Sequence, residues 1–176
     1  MKKLIYLIAI VFTITACEDR YHPKPDYIVY SEINGTVTIS DSYNIFNYAY
    51  FTVGELNNGN TRSFLHFIAP DPIPIGVTAS YYFLINNNQF VVLNEGDTIS
   101  SEMYFSSKDT VYLDNFAGKG KKYIAYKMEN HISAGSIYHN YGWIKVSLSG
   151  DNKTLHIIGR AINESKENAI LAGQME

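Results

Sequence analysis

Cysteine is nearly absent from this sequence of 176 residues, with one copy at Cys17. A disulfide needs a second cysteine and a structural zinc site usually needs several, so neither is expected within the chain. Positive charge is not in excess either, since 14 Lys and Arg stand against 17 Asp and Glu, for a net charge of −3. Proteins that neutralise phosphates are usually basic, so we do not expect a nucleic-acid partner.

No apolar run of the sequence is long enough for a transmembrane helix. The run at 4–16 (LIYLIAIVFTITA) follows Lys2 and Lys3 and lacks charge. It spans roughly a dozen residues, whereas a membrane-spanning helix needs about 20. A short basic start followed by such a run is typical of a cleaved export signal. We therefore expect a signal peptide at 1–16, a proline-containing tether at 17–26 and one domain at 27–176.

The end of this apolar run resembles the lipobox of bacterial lipoproteins, in the residues Ile14, Thr15, Ala16 and Cys17. In that family the cysteine thiol receives a diacylglyceryl group, the signal is cut before it, and the new amine is acylated. The resemblance implies that Cys17 is the lipidation site. Two or more acyl chains would then anchor the protein stably, where a single chain does not. The alternative is an ordinary signal peptide in which the cysteine is incidental.

The two acidic residues after Cys17, at 18–19, resemble an export signal of Bacteroidota surface lipoproteins. The resemblance implies an outer-membrane protein, lipid-anchored and facing outward, with the periplasmic face as the alternative.

The composition favours β-structure, because the chain has 15 Tyr and 9 Phe and no segment with a helical hydrophobic period. Short apolar or aromatic runs alternate with turn residues, which predicts an all-β fold, an antiparallel β-sandwich that could take jelly-roll form. Asn34-Gly35 predicts a hairpin turn, and residues 129–141 read as irregular. The predicted strands are 27–33, 36–40, 43–53, 62–68, 77–85, 89–93, 102–107, 110–113, 123–128, 142–149 and 154–162.

The last third of the chain resembles a domain of exported bacterial proteins, including PEP-CTERM-anchored and Bacteroidota surface proteins. The resemblance is carried by YGWIKV (141–146), Ala161 and ILAGQ (170–174), and 91–105 is similar to the middle of that domain. It implies a β-sandwich of unknown biochemical role. Members often have an aspartate-rich stretch able to bind calcium. The corresponding stretch here, 43–56, has no aspartate, so we do not expect it to bind calcium. No other cofactor is expected either.

Several polar groups are candidate sites, each with a simpler structural alternative. Glu129, His131 and His139 could hold a metal, although their spacing matches no familiar ligand pattern and a surface loop is the alternative. Ser136 lies near His139, but no third member of a catalytic group is evident. The GKGKK segment (118–122) could bind an anion or be a solvated loop. His66 and His156 fall within predicted strands and are expected to be structural.

Two short segments, Asp97-Thr98-Ile99 and Asp109-Thr110-Val111, resemble a glycosylation motif of exported Bacteroidota proteins. The surplus of tyrosine suits stacking on sugars, although most rings in an aromatic-rich β-domain serve packing. These features suggest an envelope-anchored, non-catalytic binding or structural domain, with a glycan or another envelope protein as partner. The alternative is a secreted glycan hydrolase, which would need two carboxyl groups about 5 to 10 Å apart in a cleft. Candidate carboxylates are Glu95, Asp97, Glu102, Asp109, Asp114 and Glu129.

Overall fold

The computed structural model describes residues 27–46, 49–55, 60–67, 79–132 and 136–176. The predicted signal peptide (1–16), the lipidation site Cys17 and the tether up to residue 26 lie outside the described residues. Within the described part no helix has the length and hydrophobicity that crossing a bilayer requires.

The described part of the chain is all-β, as the sequence predicts. Its regular elements are β-strands, with one short 3-10 turn at Asp114–Phe116 between the ninth and tenth strands. The strands are β1 (Ile28–Val37), β2 (Ser42–Phe46), β3 (Ala49–Glu55), β4 (Thr61–Phe67), β5 (Ala79–Asn86), β6 (Gln89–Phe90), β7 (Thr98–Ile99), β8 (Phe105–Ser106), β9 (Thr110–Tyr112), β10 (Lys121–Ile132), β11 (Ser136–Leu148), β12 (Leu155–Asn163) and β13 (Ile170–Leu171).

Most of these strands form one mainly antiparallel path, in the order β1-β12-β11-β10-β5-β6-β9-β4-β3-β2, with β8 attached to β5. Strand β5 joins the two halves, because its first part pairs with β10 and its last residues pair with β6. Strand β1, at one end of the path, also contacts β2 and β3 at the other end, so the path nearly closes on itself.

The main core lies between the two halves of this path. Phe51, Leu65 and Val111 come from one half, Ile124 and Ile144 come from the other, and all five are fully buried in one cluster. Alternating residues along each strand supply these side chains, since successive residues of a strand point to opposite faces.

The outer face of β10, β11 and β12 is covered by a second layer. Strands β13 and β7 pair there through Ile170 and Ile99, and the indole Nε1 of Trp143 donates a hydrogen bond to the carbonyl of Gln174 at 3.1 Å. Trp143 is only 1% exposed. The buried residues of this outer cluster are Leu93, Ile99, Tyr123, Ala125, Tyr141, Trp143, Ala161, Ile170 and Ala172. Many of the residues quoted for the resemblance therefore pack against one another.

Two glycines allow close contacts in these layers. Gly173 has φ +92°, and a Cβ there would lie 2.9 Å from the phenolic oxygen of Tyr123. A Cβ at Gly142 would lie 2.4 Å from Cζ of Tyr126, whose ring crosses the strand at that point. The Tyr126 hydroxyl donates to the carbonyl of Ala161 at 3.1 Å. Glycine at 142 thus leaves room for the Tyr126 ring to lie against the inner face of the sheet.

Three local expectations were wrong. Asn34-Gly35 makes an irregularity within β1 instead of a hairpin, because β1 stays paired with β12 on both sides of it and Asn34 adopts φ 53°. Residues 43–53 are two antiparallel strands, β2 and β3, and the burial of both Ile45 and Phe46 breaks the alternation of a single strand. The irregular stretch predicted at 129–141 is mostly strand, since β10 continues to Ile132 and β11 begins at Ser136.

Candidate functional site

A cavity of about 220 Å³ lies on the inner side of the sheet, among β1, β2, β5, β10 and β12. It combines apolar and aromatic surface with a small number of polar groups, the usual character of a small-molecule site. Its lining residues are Val29, Ser31, Phe46, Tyr81, Tyr126, Met128, Arg160, Ala161, Ile162 and Glu164. We call this cavity the Arg160 pocket.

Three aromatic rings form one wall of the Arg160 pocket. Phe46 stacks on Tyr81 with ring centroids 4.2 Å apart and planes at 22°. Phe46 also meets Tyr126 edge-on, with centroids 5.0 Å apart and planes at 63°. Contacts of this kind each add about 0.5–1.5 kcal/mol beyond simple burial, so the wall is held in place by its own packing.

A β-bulge in β12 turns Arg160 into the pocket. Lys145 of β11 is opposite Gly159 and Val146 is opposite Ile157, so Ile158 is an extra residue in β12. Ile157 belongs to the inner core, whereas Ala161, four residues later, belongs to the outer cluster. A bulge is a common way to redirect a side chain. Without it, Arg160 would share the outward direction of His156, the exposed residue of this strand.

Arg160 makes few compensating contacts. Its Nη1 donates to the carbonyl of Ile45 at 2.6 Å, and its Cζ lies 5.0 Å from the ring centroid of Phe46. Among the described residues no carboxylate lies within ion-pair distance of it. A half-buried cation without a counter-ion is energetically costly, because it has lost part of its hydration. The part of the pocket that the structure describes therefore contains a positive charge without a counter-ion.

The two tyrosines of the wall are neutral at neutral pH. Burial raises the pKa of Tyr126 well above its usual range, and the Arg160 charge only partly opposes this rise. Burial also raises the pKa of Tyr81, again against the opposing effect of Arg160. A neutral phenol combines an apolar ring with a hydroxyl that can donate or accept a hydrogen bond. Tyr81 is only half-buried, so it can meet a ligand directly.

The candidate metal residues come together, but not as a metal site. Glu129 Oε1 lies 3.2 Å from His131 Nε2, and Glu129 Oε2 lies 3.5 Å from His139 Nε2. Glu167 accepts a hydrogen bond from the His139 backbone at 2.8 Å and approaches His139 Nδ1 at 3.0 Å. Burial, then the Glu167 charge, raises the pKa of Tyr141. No group of His, Asp or Glu among the described residues has an arrangement that could hold a metal ion.

These four residues instead link adjacent strands and the loop that follows β12. Glu129 and His139 are opposite each other in the β10–β11 register. The backbone N–H of Glu167, a non-glycine residue at φ 59°, donates to the His139 carbonyl at 2.8 Å. The cluster thus fastens the loop to the sheet. The prediction of a surface loop around His131 and His139 was wrong, because polar residues here pair across two regular strands.

The other predicted candidates are dispersed. Ser136 begins β11, and its side chain lies outside the described part. Lys121 and Lys122 alternate along β10 and so point to opposite faces, and Lys122 bonds the side chain of Asn94 at 2.7 Å, so 118–122 does not form one anion cradle. Asp97 Oδ2 accepts a hydrogen bond from the backbone N–H of Asn94 at 2.7 Å.

The histidines at 66 and 156 lie in strands as predicted. His66 Nδ1 is 3.4 Å from the hydroxyl of Thr52, and His156 Nδ1 is 3.1 Å from that of Thr36. Thr98, within the first glycosylation-like segment, is exposed, whereas Thr110 in the second is half-buried.

The tyrosines serve packing more than surface display. Among the described residues the exposed tyrosines are Tyr27, Tyr30 and Tyr104. Tyr81 and Tyr126 were not singled out from the sequence, and neither were Phe46 and Arg160. The signal that could have found Arg160 is a cation within the otherwise apolar segment IIGRAI (157–162).

In comparisons with known proteins, no family model, no curated protein and no solved structure matches the chain.

Proposed function

We propose that this chain is an envelope-anchored lipoprotein whose β-domain binds a glycan without cleaving it. Lipid on Cys17 would hold the protein at the outer membrane, facing the cell surface, as the lipobox resemblance and the following acidic residues suggest. The domain would meet its glycan in the Arg160 pocket. Another envelope protein is the alternative partner.

The observation that carries the binding proposal is the aromatic wall of the pocket. Sugars present C–H faces that pack on aromatic rings and hydroxyls that bond polar groups, and tyrosine offers both kinds of contact. The cavity of about 220 Å³ is smaller than the roughly 300–1,000 Å³ of sites for drug-sized ligands. It is therefore suited to a single sugar ring at the end or side of a larger glycan.

The carboxylate content of the pocket supports binding over hydrolysis. Glu164 is the one carboxylate among its described lining residues, and it is exposed. Glycoside cleavage ordinarily uses a pair of carboxyl groups on either side of the scissile bond. Glu129 and Glu167 lie near each other elsewhere in the described part, but His139 is paired with both of them.

A glycan array probed with the full chain in detergent tests the binding proposal. Tyr81→Ala removes a pocket ring and should lower affinity for any retained glycan about tenfold or more. The matched control is Tyr104→Ala, because Tyr104 is 81% exposed and does not line the pocket. An array that retains no glycan, or an equal loss in both variants, would contradict the proposal.

The anchor is tested separately in cells. Wild-type protein should incorporate labelled palmitate, and Cys17→Ser should not. Protease treatment of intact cells should degrade the lipidated protein if it faces outward. Equal labelling of the two forms would exclude Cys17 as the lipid site, and protection from protease until lysis would place the domain on the periplasmic side.

A further inference from the structure

The guanidinium of Arg160 has hydrogen-bonding capacity that the described part of the chain does not use. An arginine side chain carries several N–H donors in one plane. Among the described residues this guanidinium makes a single hydrogen bond, to the Ile45 carbonyl at 2.6 Å. Because Arg160 also lines the cavity, its remaining donors are available to a ligand there.

Among the described residues the charge of Arg160 also has no carboxylate partner. Glu164 lines the same pocket, but it is exposed and beyond ion-pair distance, so water screens much of its repulsion toward an incoming anion. Ser31 lies directly opposite Arg160 in the β1–β12 register and contributes no charge. The positive potential inside the pocket is therefore set mainly by the guanidinium.

We infer that the ligand carries a carboxylate that binds Arg160, and that the sugar in the pocket is a hexuronic acid. This inference rests on the glycan-binding function proposed above and names its substrate class. A planar guanidinium matches a carboxylate through two parallel hydrogen bonds. The ring of the same sugar would pack on the wall formed by Phe46 and Tyr81, which stack at 4.2 Å. Ser31, on the adjacent strand β1, has a hydroxyl that can form a hydrogen bond with a hydroxyl of the sugar.

Calorimetry with the full chain in detergent tests the inference, with three small probes. Methyl glucuronide carries the sugar ring and the carboxylate, methyl glucoside carries only the ring, and benzoate joins a carboxylate to an aromatic ring. Wild-type protein should bind the glucuronide about ten- to a hundredfold more tightly than the glucoside, since a charge-assisted hydrogen bond contributes in that range.

Arg160→Gln should remove this preference, and Arg160→Lys should keep only part of it, because lysine retains the charge but lacks the planar fork. Arg62→Gln is the matched control. It removes another half-buried arginine that lies over a ring, but Arg62 is paired with Asp114 and lines a different cavity. The preference of this control for the glucuronide should equal that of wild type.

Each outcome decides between the two proposals. Equal affinity for glucuronide and glucoside would overturn the inference and leave glycan binding intact. Binding of benzoate alone would overturn glycan binding at this pocket and the hexuronate with it, whereas binding of no probe, with glycans retained on the array, would overturn the hexuronate inference alone. If Arg160→Gln does not fold, the wild-type comparison still tests the preference for a uronate, and Arg160→Lys tests the contact with Arg160. A preference that Arg160→Gln and Arg62→Gln both retain would overturn the role of Arg160.

Discussion

Two arginines of this domain have similar surroundings but different partners. Arg62 of β4 lies with its Cζ 4.0 Å from the ring centroid of Tyr112, and Arg160 of β12 lies 5.0 Å from that of Phe46. Each is half-buried. Arg62 donates from Nε to a carboxylate oxygen of Asp114 at 2.8 Å, whereas Arg160 donates to a backbone carbonyl at 2.6 Å.

The difference separates a structural arginine from one suited to recognition. The Arg62 charge is neutralised within the protein, so an external anion gains little by approaching it. No described carboxylate neutralises the Arg160 charge, and this leaves a favourable interaction for a ligand to make. Burial and ring contact alone would not distinguish the two sites, so the partner of the charge is the informative feature.

Removing the paired arginine should have the largest effect on stability. Arg62→Met leaves Asp114 partly buried without its cation and should destabilise the domain by about 2 kcal/mol. This is less than the 3–5 kcal/mol of a fully buried pair, because the two side chains are 35% and 22% exposed. Urea denaturation measures the change as a lower midpoint with an unchanged slope. A loss below about 0.5 kcal/mol would mean that solvent already screens the pair.

Removing the unpaired arginine should have a smaller effect. In Arg160→Met, relief of an uncompensated charge offsets the lost hydrogen bond to Ile45, which contributes about 1 kcal/mol. We expect stability within about 0.5 kcal/mol of wild type in the same urea experiment, together with loss of uronate binding. A destabilisation as large as that of Arg62→Met would show that Arg160 is chiefly structural.

Giving Arg160 a carboxylate should make it resemble Arg62. In Ser31→Asp the new side chain is directly opposite Arg160 across β1 and β12. A cross-strand pair of opposite charge contributes about 0.2–1 kcal/mol, so the melting temperature should rise slightly while affinity for methyl glucuronide falls. Ser42→Asp is the control, since Ser42 is exposed at the start of β2 and faces Thr52. It should leave affinity unchanged, and an equal loss there would indicate a general charge effect.

The smallest expected effect is on tyrosine ionisation. The Arg160 cation favours the phenolate of Tyr81 and so lowers its pKa against the larger effect of burial. Arg160→Met should therefore raise the pKa of Tyr81 further. Because the chain has 15 Tyr, the Tyr81 titration is obtained as the difference between tyrosinate absorbance with and without Tyr81→Phe, in both backgrounds. Arg62→Met should leave the titration of Tyr81 unchanged, and a similar rise in both variants would contradict the assignment.

The raised pKa values of the two wall tyrosines also predict a loss of stability at alkaline pH. Burial raises the pKa of Tyr81 and Tyr126 above their unfolded values. Their contribution to the free energy of unfolding is therefore complete below about pH 10, the pKa of tyrosine in the unfolded chain. It declines as the pH rises further. Urea midpoints measured across this range should fall, and a constant midpoint would contradict the shifts.

The strands were predictable from the sequence wherever apolar and polar residues alternate, as in β12. Their ends were not, because β10 and β11 continue through Glu129, Asn130 and His139, which pair with polar residues and leave no hydrophobic pattern. The pocket was even harder to predict from the sequence than the strand ends. The alternation from Leu155 onward predicts an outward Arg160, and only the bulge at Ile158 reverses it. A bulge depends on the partner strands, which local sequence does not specify.

The cover over the outer sheet face gives this protein an internal optical reporter. Trp143 is the single tryptophan of the chain, and its indole is bonded to Gln174 beneath the segment that contains β13. Its emission should shift to longer wavelength when that segment detaches, whatever happens at the Arg160 pocket on the opposite side. Because the indole also packs against Tyr30 and Tyr123, stopped-flow fluorescence can thus time the assembly of this outer layer.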